Sequence, residues 1–231
     1  MNKIRNEAIR NNPSALIYGE GWDMPTMLQG SQKANIHNQG AMPHIGHFND
    51  YFRDVIKGKT SESEKYERGY ATGKWENAFA SLAGLTANVL DTPHYKLFFS
   101  PDQSINGFET HDNSTVWDKM HACCNNEDRA TRIRRQKMMI AITMVSQGVP
   151  FVHAGFEFCD TKKDNHNSYN APDEINRMDW ERMEYYQEVV KYLRKATALR
   201  RSVSEFCLKT ALELNEKVKV WVADDQSVFY D

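Results

Sequence analysis

The chain has 231 residues, 40% of them hydrophobic, and its 29 basic and 31 acidic side chains give a formal net charge of -2. This length allows a sizeable core in one large domain or two small ones. The near balance of charge provides no basic surface for nucleic acid or an anionic membrane, so both partners are excluded from our interpretation and a neutral partner is favoured.

The N-terminal residues carry charge from Lys3 onward and lack the apolar run of a signal peptide, and no later stretch reaches membrane-spanning length. We therefore expect the chain as written to be cytoplasmic.

The four cysteines, which have no CxxC spacing, are expected to be free, buried thiols rather than disulfides. They are Cys123, Cys124, Cys159 and Cys207.

Hydrophobic spacing predicts alternating strands and helices, separated by polar loops. Gly148 is expected to cap the third helix. In chain order, the pattern predicts a helix over 3–12, strands over 15–18 and 45–48, a flexible loop over 61–73, a helix over 75–90, a strand over 105–108, a helix over 126–147, a strand over 149–154 and a helix over 180–201.

This alternation, with polar groups at the strand exits, indicates an α/β fold. A β/α barrel is favoured because its active sites gather at the C-terminal ends of its strands, although a doubly wound sheet would produce a similar pattern. After Arg201 the pattern changes to short alternations such as Val218, Val220 and Val222, which predict antiparallel strands. Residues 202–231 are therefore predicted to begin a small β domain, whose last strand breaks off with an open edge.

Two carboxylic acids follow predicted strands. Glu20 stands between Gly19 and Gly21 after the first apolar run, and Asp112 follows the strand over 105–108. Parallel strands present their C-terminal ends on one side of a sheet, so these acids could face each other across a cleft. Glycoside cleavage requires such a carboxyl pair.

The neighbours of these acids allow more than one interpretation. Trp22 could desolvate Glu20, favouring its protonated form, and could stack on a sugar ring, whereas Glu20 could equally be an ordinary loop acid. Asp112 could instead cap the following helix. His111 could donate to a sugar hydroxyl or be structural, and His153, within an apolar run, is interpreted as structural.

Two further groups of polar residues could be functional. The loop over 168–176 combines amide, carboxylate and aromatic groups suited to carbohydrate, but a polar turn before a helix cap at Asp179 uses the same residue types. His37, His44 and His47 lie close in sequence, yet their spacing matches no zinc signature, and no metal site is predicted from them.

Five segments in order closely resemble the type I pullulanases, debranching enzymes of glycoside hydrolase family 13. The resemblance extends from Met1 to about Arg201 and only weakly beyond. The segments are YGEGWD (18–23), FNDYFRD (48–54), THDN (110–113), SQGVPFVHAG (146–155) and SYNAPDEIN (168–176).

The resemblance implies an α-amylase-type (β/α)8 TIM barrel, of which residues 1–201 would be the C-terminal half, strands 5 to 8. Residues 202–231 would be the truncated start of a C-terminal β-sandwich domain. The fourth barrel strand, which bears the family's nucleophilic aspartate, has no counterpart in this sequence. An N-terminal barrel half is accordingly the expected partner.

The resemblance also implies roles for individual residues. Glu20 matches the general acid/base and Asp112 the stabiliser of the transition state, although two carboxylates alone would have made Asp112 the nucleophile. His111 matches the histidine at the cleavage subsite. The positions where the family contacts substrate are matched by Trp22, Asn170 and Asp173, and its motif after the sixth strand by Asn49, Asp50 and Arg53.

The expected activity is retaining hydrolysis of α-1,6 branch linkages in pullulan and branched dextrins, with this chain incomplete and inactive alone. A non-catalytic α-glucan-binding or interaction fragment and an α-1,4-acting family member are the alternatives. No cofactor is expected; calcium is possible but is assigned to no residue.

Overall fold

The chain is described by a computed structural model that covers residues 1–91 and 95–231. Short 3-10 helices occupy Gly30–Gln32, Ile36–Ala41, Glu62–Glu64, Tyr70–Thr72, Trp75–Asn77, Pro101–Gln103, Phe156–Phe158 and Ser204–Cys207. The strands are β1 (Ile17–Gly19), β2 (Ile45–Phe48), β3 (Ser104–Asn106), β4 (Val149–Pro150), β5 (Val220–Val222) and β6 (Val228–Tyr230). The α-helices are α1 (Asn2–Asn11), α2 (Asp50–Ile56), α3 (Ala78–Leu85), α4 (Val116–Cys123), α5 (Arg129–Val145), α6 (Asp173–Asn176), α7 (Glu181–Tyr185), α8 (Gln187–Ser202) and α9 (Ala211–Lys217).

Four parallel strands form one sheet in the spatial order β1-β2-β3-β4, which is also their order along the chain. Crossovers containing helices join them, as parallel pairing requires. The register pairs Gly19 with His47, Phe48 with Ile105 and Asn106 with Pro150. The loops that leave the four strands therefore meet at one edge of the sheet.

The buried apolar side chains form two groups. The first is shared by α2, α4, α5 and α8, through residues such as Phe52, Met120 and Ile140. The second joins the segment after α3 to α9 and the start of β5, where Phe98 and Leu214 belong to one cluster. β5 and β6 pair antiparallel and contact α3, so residues 202–231 share a core with the segment before β3.

The predicted helices and strands occur in the predicted order along the chain, with several corrections to their bounds. The helix predicted over 75–90 is a 3-10 turn followed by α3, which ends at Leu85, and the strand over 149–154 is reduced to Val149–Pro150. The loop predicted over 61–73 contains the buried 3-10 helix Tyr70–Thr72. The helix predicted over 180–201 is divided into α7 and α8, and the short helices α2, α6 and α9 were not predicted.

Three smaller expectations had mixed outcomes. Gly148 does not cap α5, whose C-cap is Ser146; it lies in the turn to β4 with a φ of 92°. All four cysteines are free as predicted, but Cys207 is exposed rather than buried. None of the helices in the described part of the chain is long and apolar enough to cross a membrane.

Candidate active site

Glu20 and Asp112 meet at the C-terminal edge of the sheet. One carboxylate oxygen of each and a ring nitrogen of His111 all lie within 4.8 Å of one another. These side chains come from loops more than ninety positions apart, after β1 and β3. The parallel register therefore brings together the two acids that the sequence predicted as a pair.

Glycine fixes the direction in which the chain leaves β1. Gly21 has a φ of 76°, and a Cβ at this position would lie 2.4 Å from Cδ2 of His47. His47 is itself a buried residue of β2, and its Nδ1 contacts the side-chain amide of Gln39. A side chain at position 21 would thus clash and strain the backbone, so glycine is required immediately after Glu20.

Asp112 is not a helix cap in this structure. The N-cap of α4 is Thr115, whose hydroxyl accepts a hydrogen bond from the backbone N–H of Asp118 at 3.1 Å. The side chain of Asp112 remains 46% exposed, and its Oδ2 lies 3.5 Å from Nε2 of His111. Both side chains are accordingly free to face a ligand.

Trp22 lines the same cleft as Glu20 and Asp112 but does not enclose the carboxylate. The tryptophan is 45% exposed and Glu20 is also exposed. Residues 1–91 and 95–231 therefore do not provide the desolvation of Glu20 by Trp22 that the sequence suggested. The indole is available for stacking instead.

The motif after β2 supports the floor of the cleft. Asn49 is buried, caps α2 by accepting from the N–H of Phe52 at 3.0 Å, and donates to the side chains of Asn88 and Ser104 at 2.8 and 2.9 Å. Asp50 borders the cleft beside Arg53, which donates to it at 2.6 Å. Burial raises the pKa of Asp50, and the arginine opposes that rise.

A buried pair of ionisable residues beneath the cleft was missed by the sequence analysis. Lys57 caps α2 and its Nζ donates to the carbonyl of Phe108, while Glu109 accepts from the N–H of Val116 at 2.5 Å. Burial lowers the pKa of Lys57 to about 7 and raises the pKa of Glu109 to about 8. Glu109 stands immediately before the segment THDN (110–113), and this position could have indicated that it lies near the site. Nothing in the sequence indicated that Lys57 is buried.

Asn170 and Asp173 are not brought to this cleft. Both are exposed, Asn170 in the loop before α6 and Asp173 at its first position. Neighbouring residues of that loop, Ser168 and Tyr169, line an adjacent cavity together with His111. The loop is fixed by Asn176, whose amide donates to the carbonyls of Ser168 and Ala171 at 2.6 and 2.9 Å.

The histidines weighed for metal binding have separate surroundings. His37 is exposed, His44 contacts Asp102 at 2.7 Å, and His47 is buried against Gly21. His153 is half-buried, with Nδ1 4.0 Å from Oε1 of Glu109, and burial lowers its pKa. The residues at the strand exits that could jointly hold a cation are instead Glu20, His111 and Asp112.

Comparison with known proteins matches nearly the whole chain to one part of larger enzymes. It is 37% identical over 227 residues to the pullulanase of Bacillus subtilis, covering 98% of this chain and 31% of the relative. The pullulanase of Klebsiella pneumoniae is 26% identical over 210 residues, covering 73% of this chain and 19% of the relative. No protein-family model matches.

Solved structures give the same result. Type I pullulanase from Bacillus subtilis, complexed with maltose, superposes with a TM-score of 0.91 at 38% identity, over 95% of this chain and 31% of that one. Pullulanase from Anoxybacillus, complexed with maltotriose, gives a TM-score of 0.93 at 38% identity, over 100% of this chain and 32% of that one. The chain thus spans about a third of the length of these relatives.

Proposed function

We propose, on the premise that this chain matches about one third of a type I pullulanase, that it supplies part of the active site of an enzyme hydrolysing α-1,6 linkages in α-glucans. The observation that carries the proposal is the meeting of Glu20, His111 and Asp112 within 4.8 Å at the exits of two parallel strands. Glycoside cleavage uses carboxyl groups placed on either side of the scissile bond.

In this proposal, residues 1–201 form the C-terminal half of a (β/α)8 barrel, and β1 to β4 are its strands 5 to 8. Their sequential parallel order and helical crossovers support this assignment. Residues 202–231, with the antiparallel pair β5 and β6, begin the following β domain. The N-terminal half of the barrel is the partner that completes the site.

The proposed mechanism is a retaining double displacement. Glu20 protonates the glycosidic oxygen as the bond to the anomeric carbon breaks, while an aspartate from outside this chain attacks that carbon to form a glycosyl-enzyme. Water then attacks the same carbon, Glu20 accepts its proton, and the aspartate leaves. Asp112 stabilises the positive charge that develops on the sugar ring in both steps.

The proposed substrate is pullulan or a branched dextrin. Relatives in solved structures were complexed with maltose, maltotriose and maltotetraose, which are α-glucans. In this chain Trp22 and His111 border the cleft and its adjacent cavity and are proposed to contact the sugar. Asn170 and Asp173 are proposed to contact glucose units further from the scissile bond, since both are exposed on the loop beside that cavity.

The test is hydrolysis of pullulan by this chain combined with the N-terminal barrel half that completes the proposed site. Replacing Glu20 by Gln keeps the shape of the side chain but removes its transferable proton, and should lower kcat by about 100- to 10,000-fold. The matched control is Glu216→Gln, on the exposed face of α9. Turnover by Glu20→Gln equal to that of the control would refute the assignment.

Comparing two substrates tests the linkage. Reducing ends should appear from pullulan and not from linear amylose, which has only α-1,4 bonds. Hydrolysis of amylose at the same rate would assign the site to α-1,4 linkages, and saturable binding of pullulan without hydrolysis would assign it to α-glucan binding alone.

A further inference from the structure

A second cluster of polar side chains lies on α4, away from the acids of the cleft. Asp118 and His121 are three positions apart on this helix and so share one face. Together with Asp164, from the loop after β4, they place three possible metal-ligating atoms within 4.8 Å of one another. The cluster borders an open cavity that Tyr66 and His166 also line.

Asp118 is a buried acid without a cationic partner. It is 2% exposed, and its carboxylate accepts from the hydroxyl of Thr161 and from the N–H of Lys162 at 2.7 Å. Both donors are neutral, and no lysine, arginine or histidine nitrogen in residues 1–91 and 95–231 forms a salt bridge with it. Buried charges in proteins are normally paired or bound to a metal ion.

The other two side chains face the buried acid from solvent. Nδ1 of His121 lies 3.8 Å from Oδ1 of Asp164, and their side chains are 38% and 69% exposed. Asp164 has a φ of 60°, a left-handed conformation in which aspartate is tolerated. Lys65 also borders the cavity, but its ammonium group is bound by Glu62 and does not neutralise Asp118.

These separations suit a small divalent cation. Zinc binds histidine nitrogen and carboxylate oxygen at about 2.0–2.2 Å, so two ligands of one ion lie at most about 4.3 Å apart. The 3.8 Å between His121 and Asp164 is already inside that limit. Asp164 is 69% exposed and His121 is 38% exposed, so both side chains have room to close the remaining distance to Asp118.

We propose that Asp118, His121 and Asp164 form a binding site for a divalent cation of the zinc type. One imidazole and two carboxylates supply three ligands, and water completes the coordination, as in zinc sites with an open position. The site goes beyond the proposed hydrolysis and does not depend on it. Its effect is to join α4, which follows Asp112, to the loop that leads to Asn170 and Asp173.

The direct test is calorimetric titration of the purified chain with zinc chloride, in a Cys207→Ser, His111→Ala background. The two substitutions remove the exposed thiol and one ligand of the other group, Glu20, His111 and Asp112, that could hold a cation. We expect one zinc ion per chain. Asp164→Asn, at an exposed position, and His121→Ala, which also removes the ring contact with Trp117, should each weaken binding by at least about tenfold. The controls are His37→Ala and Asp224→Asn, exposed residues outside the cluster, which should bind zinc like the background protein.

Limited trypsin cleavage after Lys163, an exposed residue of the same loop, reports the joining of loop and helix. Zinc should slow this cleavage at least about tenfold in the background protein and leave it unchanged in His121→Ala. Absence of zinc binding, equal affinity in either ligand variant, or protection that persists in His121→Ala would overturn the proposal. None of these outcomes bears on α-glucan hydrolysis, because no sugar is present.

Discussion

Lys57 and Glu109 are the buried ionisable residues nearest to the loop that carries His111 and Asp112. Glu109 binds the N–H of Val116, just after that loop, and Lys57 binds the carbonyl of Phe108, just before it. The two side chains thus hold both ends of the loop. Burial lowers the pKa of Lys57 and raises the pKa of Glu109, so it favours the neutral form of each side chain. The free energy that these two side chains contribute to folding therefore depends on pH.

Glu109→Gln should reduce the pH dependence of folding stability. The folded-state pKa of Glu109, about 8, lies above its ordinary value of 4.5, so its stabilising protonated form is lost as the pH rises from about 4.5 through 8. Glutamine keeps an oxygen for the N–H of Val116 but cannot ionise. The free energy of unfolding of the variant minus that of the unsubstituted chain should therefore be at least about 1 kcal/mol larger at pH 8 than at pH 5.

Urea unfolding at the two pH values measures this difference. Glu184→Gln, an exposed glutamate on α7, is the control and should follow the parent chain at both values. A constant stability difference between Glu109→Gln and the parent chain would show that the carboxyl group of Glu109 has the same pKa in the folded and unfolded states.

For individual site residues, the sequence could predict which ones follow a strand, but it could not predict which other segments would surround them in the fold. Glu20 and Asp112 could be paired because each follows an apolar run, and the structure brings them together. The sequence could not show in the same way that Trp22 leaves Glu20 exposed or that Lys57 is buried. Both depend on which distant segments cover a side chain, and spacing along the chain carries no information about that.

Among the elements, α8 binds the end of α5 through a buried arginine, in addition to the core that the two helices share. The guanidinium group of Arg200, 7% exposed, donates to the carbonyls of Met144 and Ser146 at 2.7 and 2.8 Å and to that of Gly148 at 2.8 Å. These carbonyls lie at the end of α5 and in the turn to β4, where no helical N–H is left to bind them.

Arg200→Lys should destabilise the fold by about 1–3 kcal/mol. The three hydrogen bonds of Arg200 come from two separate nitrogens, Nη1 and Nη2. The shorter side chain of lysine has its donors on one atom and cannot occupy both positions, so at least one buried carbonyl would lose its donor. Arg201→Lys, the exposed neighbour on α8, is the matched control and should change stability by less than about 0.5 kcal/mol. Thermal unfolding of both variants measures the difference, and equal melting temperatures would show that the three hydrogen bonds contribute nothing.

The elements that could be predicted are those with long amphipathic repeats. α5 and α8 follow from such repeats, whereas α9 spans only seven residues and offers too few periods to be distinguished from a loop. The polar segment over 61–73 was interpreted as a flexible loop because of its composition. Tyr70 and Ala71 nonetheless pack inside, since the first core extends to the 3-10 helix that contains them.

For the whole molecule, the parallel sheet has β1 and β4 as its edge strands. The chain around β1 is also apolar and open to solvent: Leu16 is 41% exposed, Tyr18 47% and Met27 fully exposed. Nearby, α1 buries none of its residues. An uncovered strand edge with apolar neighbours is a template for association between copies.

The purified chain should therefore self-associate with increasing concentration, and Tyr18→Lys should reduce that association. A lysine on β1 places a charge where a second strand would pair. Leu212→Lys, at a 67% exposed position on α9, adds the same charge away from the edge and should leave association unchanged. Sedimentation velocity over a hundredfold range of concentration measures the effect; an equal response of the two variants would exclude the β1 edge as the contact.

The register of the sheet also determines when the site can form during folding. β2 and β3 pair Phe48 with Ile105, positions separated by a long crossover that must close before the strands meet. Such non-local contacts form slowly, after local helices such as α5. Glu20 and Asp112 thus become neighbours only after this long crossover has closed, so the carboxylate pair requires the non-local part of the fold.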